Sequence, residues 1–155
     1  MTAHSPSRIS RVIAAPREAI YQAFIDPDAL VAWLPPAAMT GVIHEFEARI
    51  GGGYRMSLFY PPDERAFRGK SAEREDRVEV RFLDLTPPRR IVEAVTFDTS
   101  DPAFLGEMIM TASFAAVPGG TEVTLRFENL PPGLRPEDNE IGAHLSLAQL
   151  ARRFE

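Results

Sequence analysis

One acidic residue interrupts an otherwise apolar run in the second half of the sequence, residues 91–97. If this run is a strand, Glu93 shares a face with Ile91, Val95 and Phe97. A carboxylate in such a row is either a buried functional group with a raised pKa or a sheet-edge residue that reaches water. Both interpretations stay open, because no arginine can be placed opposite Glu93.

A histidine near the end of the chain is the second residue that could do chemistry. On a helical wheel that starts at Ile141, His144 falls near the middle of an apolar arc, so its ring would face the interior. Glu93 and His144 would then form an acid/base pair, and both are weak catalytic candidates. The alternative is a core histidine whose ring bonds a backbone carbonyl or a side chain of the sheet.

The pair Glu140 and His144 also has the spacing of two metal ligands on one helical face. No third ligand can be placed beside them, since nothing brings His44 close, and the helix dipole alone explains an acid in a first turn. The chain has no cysteine, which excludes thiolate metal sites and thiol nucleophiles. Neither a phosphate-binding loop nor a GxSxG motif occurs. We therefore predict no metal and no cofactor.

Aromatic and methionine side chains form the apolar set that would pack the core or, if the fold encloses a cavity, line it. Unbranched thioethers adapt to guests of different shapes, and the Tyr54 hydroxyl is suited to orient the polar end of a guest. Plain core filling is the alternative for each member. The predicted ligand-binding residues are Trp33, Tyr54, Met56, Leu58, Phe82, Phe97, Met108, Met110, His144 and Leu147.

Prolines and hydrophobic periodicity predict the elements that must position these residues. One strand near the start is followed by two short helices, with Asp26 as N-cap of the second. Residues 40–129 alternate as a meander of six strands joined by short turns, and such strands pair antiparallel. A long helix follows over residues 136–154. This order predicts an α+β fold with about seven strands in one curved sheet around the C-terminal helix.

The C-terminal helix is apolar over an arc of about 220°, which indicates that the sheet wraps more than half of it. The helix should therefore lie across the sheet. The residues predicted to face solvent are Gly142, Ser146, Gln149, Arg152 and Arg153.

The composition describes an ordinary globular domain. The 155 residues are 45% hydrophobic and 25% charged, so we predict a single domain over residues 1–155 with an ordered core over about 8–154. The net charge of -5 argues against nucleic-acid and anionic-membrane surfaces. No apolar stretch approaches the roughly 18 residues of a membrane span, and no signal core precedes the domain. We expect a cytoplasmic protein that does not insert into membranes.

Several segments resemble a known family when they are taken in order. RVIAAPREAIYQAF followed by DPDALVAWLPP is similar to the start of the START-like (Bet v 1-like, SRPBCC) superfamily. More narrowly it resembles the stand-alone bacterial members of the activator of heat-shock-protein-90 ATPase homologue family, with Trp33 at the end of the second helix. The similarity continues through GGGYRM, FLDLTPPRRIVEAVTF and GGTEVTLRFENLPPG. It ends at Glu140-x-Gly142 and SLAQL.

The resemblance implies a helix-grip fold with a cavity between the sheet and the C-terminal helix. Superfamily members hold lipids, hormones or polyketides there, and some are cyclases or dehydratases. No catalytic motif is implied that can be carried over by residue. We therefore predict binding of a small hydrophobic or amphipathic molecule, in preference to enzyme activity. A small cyclase- or dehydratase-type enzyme and a co-chaperone-like interaction module stay open, as do a homodimer and a chaperone partner.

Overall fold

The computed structural model describes residues 7–36, 39–60 and 75–155. The elements in these ranges are, in chain order, β1 (Ser7–Ile13), α1 (Arg17–Ile25), α2 (Pro27–Trp33), β2 (Thr40–Glu47), β3 (Gly53–Phe59), β4 (Glu75–Thr86), β5 (Arg90–Phe97), a short 3-10 turn (Pro102–Phe104), β6 (Glu107–Val117), β7 (Gly120–Glu128) and α3 (Pro136–Arg152).

The seven strands form one antiparallel sheet in the order β1-β7-β6-β5-β4-β3-β2. This confirms the predicted α+β class, the strand number and the two helices after the first strand. β1 and β2 are the edges, and β5 is the central strand. The β6–β7 hairpin turns at Pro118 and Gly119, where Gly119 has a φ of 90°, a conformation that other residues rarely adopt.

The two short helices are joined by their side chains as well as by Asp26. The Asp26 carboxylate accepts a hydrogen bond of 3.0 Å from the backbone N–H of Asp28, as expected of an N-cap. The Trp33 indole donates to the Ala23 carbonyl at 2.8 Å, and its ring centre lies 4.7 Å from that of Phe24. The buried tryptophan thus fixes α2 against α1.

The side of the sheet that packs against the helices is here called the inner face. Its side chains are mostly apolar and buried, whereas the outer face carries many charged residues. The buried inner-face residues of the four strands from β5 to β1 are Ile91, Glu93, Met108, Met110, Ala112, Phe114, Thr121, Val123, Leu125, Phe127, Ser7, Ile9 and Ile13.

Helix α3 packs against the sheet as predicted, but it is rotated from the predicted orientation. Leu147 and Leu150 are fully buried. Ser146 is also buried and donates to the Leu34 carbonyl at 2.6 Å. The Gln149 amide donates to the carbonyls of Trp33 and Pro35 at 2.7 and 2.8 Å. The prediction that Ser146 and Gln149 face solvent was therefore wrong.

These contacts have a physical cause at the end of α2. A proline pair stops that helix, so no helical N–H donates a hydrogen bond to its last carbonyls. These carbonyls therefore need other donors. Helix α3 turns its polar Ser146 and Gln149 towards them, and the opposite face turns outward. Ile141, His144 and Leu145 are consequently exposed, which corrects the predicted inward orientation of His144.

Candidate functional site

Glu93 lies on the inner face of the central strand. The register pairs it with Phe82 of β4 on one side and Met110 of β6 on the other. The same row continues through Phe127 of β7 to Ser7 of β1. Since β5 is the middle strand of the sheet, the alternative of a sheet-edge residue reaching water does not hold.

The carboxyl of Glu93 is buried without a partner. The side chain is only 5% exposed, and it makes no hydrogen bond or ion pair within the part of the chain that the structure describes. Burial raises its pKa from 4.5 to about 8, because an apolar environment disfavours the charged form. Near neutral pH the group is mostly a protonated carboxyl, which can donate one hydrogen bond and accept others.

Tyr54 of β3 brings a second polar group to the same region. Its ring stacks on Phe46 with ring centres 5.3 Å apart and lies 6.0 Å from the ring of Phe82. Tyr54 is only 5% exposed as a residue, and its hydroxyl makes no hydrogen bond among the described residues. Its pKa is raised first by burial and then by the charge of Glu93. The two polar groups therefore lie close enough to influence one another.

The structure buries most of the predicted ligand-binding set. Leu58 and Phe97 are half-buried and His144 is exposed, whereas seven members are enclosed in the core: Trp33, Tyr54, Met56, Phe82, Met108, Met110 and Leu147. Trp33 already uses its N–H in the contact with Ala23. The register brings Met110 and Phe82 directly beside Glu93, so these two surround the carboxyl with apolar atoms.

Neither the predicted acid/base pair of Glu93 and His144 nor a metal site at Glu140 and His144 is seen in the described part of the chain. His144 is exposed on α3, whereas Glu93 is buried on the central strand, and no contact joins the two side chains. Glu140 instead accepts a hydrogen bond of 2.7 Å from the Ser7 hydroxyl. His44 lies at a bulge in β2 and bonds the Ser57 hydroxyl at 2.9 Å. Among the described residues no cluster of three metal-ligating side chains occurs.

Two clefts open on the strands β2 to β5. A cleft of about 690 Å³ at the end of the strands is lined by the inner-face residues Met56, Val78 and Phe97 and by outer-face residues that include Arg55, Arg77, Glu79 and Thr96. A groove of about 320 Å³ lies among charged and glycine residues, mostly on the outer face. Glu93 lines neither of them. The inner-face residues of the larger cleft make it the more relevant of the two for an apolar guest.

Two further polar groups were missed by the sequence reasoning. The Tyr21 hydroxyl and the Asn139 side-chain nitrogen are both buried without a hydrogen-bond partner. Burial and the charge of Asp84 raise the pKa of Tyr21, whose ring lies edge-on to Phe114. Asn139 precedes Ala143 and Leu147 by four and eight residues. That spacing was a signal in the sequence that it shares their helical face.

A match to a known family accompanies this geometry. The family described as Activator of Hsp90 ATPase homolog 1-like protein matches residues 14–155. No curated protein shows significant similarity to the chain. In the described part of the chain, no helix is long and apolar enough to cross a membrane.

Solved structures share the whole architecture. A protein of Chromobacterium violaceum is 32% identical and superposes with a TM-score of 0.85, over 98% of this chain and 99% of that one. A Rhodobacter sphaeroides protein is 21% identical with a TM-score of 0.78, over 96% and 91%. An AHSA1-like protein of Aeromonas hydrophila is 19% identical with a TM-score of 0.72, over 96% and 90%. The last two show the fold alone.

The family match covers nearly all of the described sheet and all three helices, and the Chromobacterium violaceum structure agrees with it over the full chain. The chain therefore belongs to the Activator of Hsp90 ATPase homolog 1-like family.

Proposed function

We propose that the protein binds a small, mainly apolar molecule on the inner face of the sheet and anchors its polar group at Glu93. The observation that carries this proposal is the buried carboxyl of Glu93, which has no partner among the described residues. Buried polar groups normally find a partner, and an unpaired one lowers stability by about 1–3 kcal/mol. A polar atom of a guest would supply the missing partner.

The surroundings of Glu93 suit a guest that is apolar elsewhere. Phe82 and Met110 flank the carboxyl, and Met108 lies on the same face of β6. Methionine side chains change shape at little cost, so they can adapt to a guest that fills the space beside them. The Tyr54 hydroxyl is a second polar group in this region, besides the carboxyl of Glu93. The guest would thus make a few polar contacts and many apolar ones.

The cleft of about 690 Å³ provides the route by which we expect the guest to reach this place. Met56, Val78 and Phe97 pair across β3, β4 and β5 and form the inner-face row at the cleft. The next row along the strands contains Tyr54, and the row after that contains Glu93. The guest would enter over the methionine and phenylalanine side chains and stop at the two polar groups.

Mass spectrometry of the purified protein tests the proposal, first under native conditions and then after organic extraction. We expect a small molecule bound at one copy per chain that is lost on extraction. Glu93→Leu should lower its occupancy at least tenfold. The control Glu18→Leu changes an exposed glutamate of α1 that lines neither cleft, and it should leave occupancy unchanged. Guest-free protein that a panel of hydrophobic compounds fails to stabilise against heat would contradict the proposal.

A cyclase- or dehydratase-type activity is a second candidate, favoured by the same carboxyl. A group with a pKa of about 8 exchanges its proton readily near neutral pH, as a general acid or base must. The exposed position of His144 removes the predicted partner, so Tyr54 would have to assist. Extraction after incubation with a polyketide that returns a molecule lighter by one water, or an isomer of altered retention time, would support turnover, whereas unchanged guest would support binding alone.

A further inference from the structure

Helix α3 carries two large apolar side chains on the side that faces solvent. Ile141 is 59% exposed and Leu145 is 42% exposed, and the two lie one helical turn apart. The other exposed large hydrophobic residues among those described lie on strands or in loops. The hydrogen bonds of Ser146 and Gln149 to the end of α2 fix the rotation of α3, so Ile141 and Leu145 cannot turn inward.

A regular spacing extends this apolar pair into a stripe along the helix. The stripe consists of Asp138, Ile141, Leu145, Ala148 and Arg152, which follow one another at alternating spacings of three and four residues. This spacing keeps the five residues on one side of the helix and is the pattern by which two helices pack side by side. We call these five residues the solvent-side stripe.

The solvent-side stripe has an acid at one end and a base at the other. Asp138 lies in the first turn of α3 and Arg152 in the last, about 21 Å apart at about 1.5 Å per residue. Within the described ranges, neither side chain makes an ion pair or a hydrogen bond. The helix dipole favours this order of charges, but it does not favour an exposed isoleucine and leucine between them.

We propose that the solvent-side stripe binds the same stripe of a second copy of this chain, with the two helices antiparallel. Asp138 lies seven residues before Leu145, and Arg152 lies seven residues after it. A two-fold axis beside Leu145 therefore brings Asp138 of each copy to Arg152 of the other. The two Leu145 side chains meet at the axis, and Ile141 packs beside Ala148 of the second copy.

The charges select the antiparallel arrangement. In a parallel pair, Asp138 would face its own counterpart and so would Arg152, and such like-charge contacts are unfavourable. The surface beside the stripe is also uncovered in the single chain, since a methyl group on Gly142 would meet nothing within 4 Å. A second copy thus supplies the apolar cover and both missing ionic partners at once.

The size of the helix face sets the expected strength of the dimer. Helix α3 has 17 residues and is about 25 Å long, whereas a standard interface buries about 800 Å² on each partner. We therefore expect a weak, reversible dimer whose population rises with concentration. The dimer is independent of the proposed function, because the stripe lies on the side of α3 opposite the buried Leu147 and Leu150.

Sedimentation velocity of the full chain tests the proposal, over concentrations from about 1 μM to about 1 mM, where weak dimers dissociate. We expect a reversible dimer. Leu145→Asp should weaken it at least tenfold, because two carboxylates would meet at the axis. The matched control is Leu83→Asp, at a leucine that is 39% exposed at the bulge of β4, and it should leave dimerisation unchanged. Circular dichroism checks that both variants fold.

Three results of this experiment would overturn the proposal. The first is a chain that stays monomeric over the whole concentration range. The second is a dimer that Leu145→Asp does not weaken. The third is a dimer that Leu83→Asp weakens as much as Leu145→Asp does, since the contact would then not be specific to α3.

A charge exchange tests the antiparallel order. Asp138→Arg places two arginines at each end of the dimer, and Arg152→Asp places two aspartates there. We expect each variant alone to dimerise about tenfold more weakly than wild type. An equimolar mixture of the two variants should form a mixed dimer as tight as that of wild type, because arginine then meets aspartate at both ends. A mixture that stays as weak as its components would contradict the proposal.

Discussion

Glu93 combines three properties that seldom occur together in one side chain: burial, a position on the central strand and an unpartnered carboxyl. The sequence predicted that it shares a face with apolar neighbours, since alternation along a strand shows in the residue types themselves. It did not predict burial, because that depends on which strands lie on either side of β5. Glu93 is buried because β5 lies between two strands, where Phe82 and Met110 flank its side chain. The alternation of residue types along one strand does not reveal which strands are its neighbours.

The raised pKa of Glu93 predicts how stability depends on pH. The folded-state pKa of about 8 lies above the unfolded value near 4.5, so between these values the unfolded state binds fewer protons. The free energy of unfolding should therefore fall as pH rises through this window, by up to about 1.4 kcal/mol per pH unit from this group. Below about pH 4 both states hold this proton, so the stability from the group is fully present and no longer varies with pH.

Urea unfolding of wild type and Glu93→Gln at pH 4, 6 and 8 measures this effect. We expect the variant to gain stability relative to wild type as pH rises, by a few kcal/mol at pH 8, because glutamine does not ionise. Glu79→Gln on the outer face is the matched control and should follow wild type. A difference between Glu93→Gln and wild type that does not vary with pH would be the contrary result.

Helix α3 shows where reasoning about a whole element succeeds and where it fails. Its extent and its packing on the sheet were predicted, because a proline at the start and a wide apolar arc are local signals. Its rotation was not, because polar residues were assigned to solvent. Ser146 and Gln149 donate hydrogen bonds to the carbonyls of Trp33, Leu34 and Pro35. These partners are more than 100 residues away along the chain, so no local pattern reveals them.

Replacing Gln149 with leucine should loosen α3 from the end of α2. Two hydrogen bonds to backbone carbonyls are lost, and we expect the free energy of unfolding to fall by about 1–3 kcal/mol. His144→Gln, at an exposed position of the same helix, should stay within about 0.5 kcal/mol of wild type. Thermal or urea unfolding monitored by circular dichroism gives both values. Equal stability of Gln149→Leu and wild type would show that these contacts do not hold the helix.

The architecture as a whole was the most predictable part of the molecule. Turn residues separate the strands, short connections pair neighbours antiparallel, and the order of motifs in the sequence resembles one family. The family match over residues 14–155 and the 32% identical Chromobacterium violaceum structure confirm that interpretation. The positions of inward polar side chains such as Glu93 and Tyr54 follow from strand order rather than from local pattern, so the sequence could not predict them.

The most direct test of this account is the pKa of Glu93 in guest-free protein, measured by the carbon-13 chemical shift of its carboxyl between pH 3 and 10. The account predicts a midpoint near 8, and a displaced midpoint once a guest is bound at Glu93. A midpoint between 4 and 5 in the guest-free protein would mean that the carboxyl is hydrated or paired. That result would contradict the claim that Glu93 is a buried anchor awaiting the polar group of a guest.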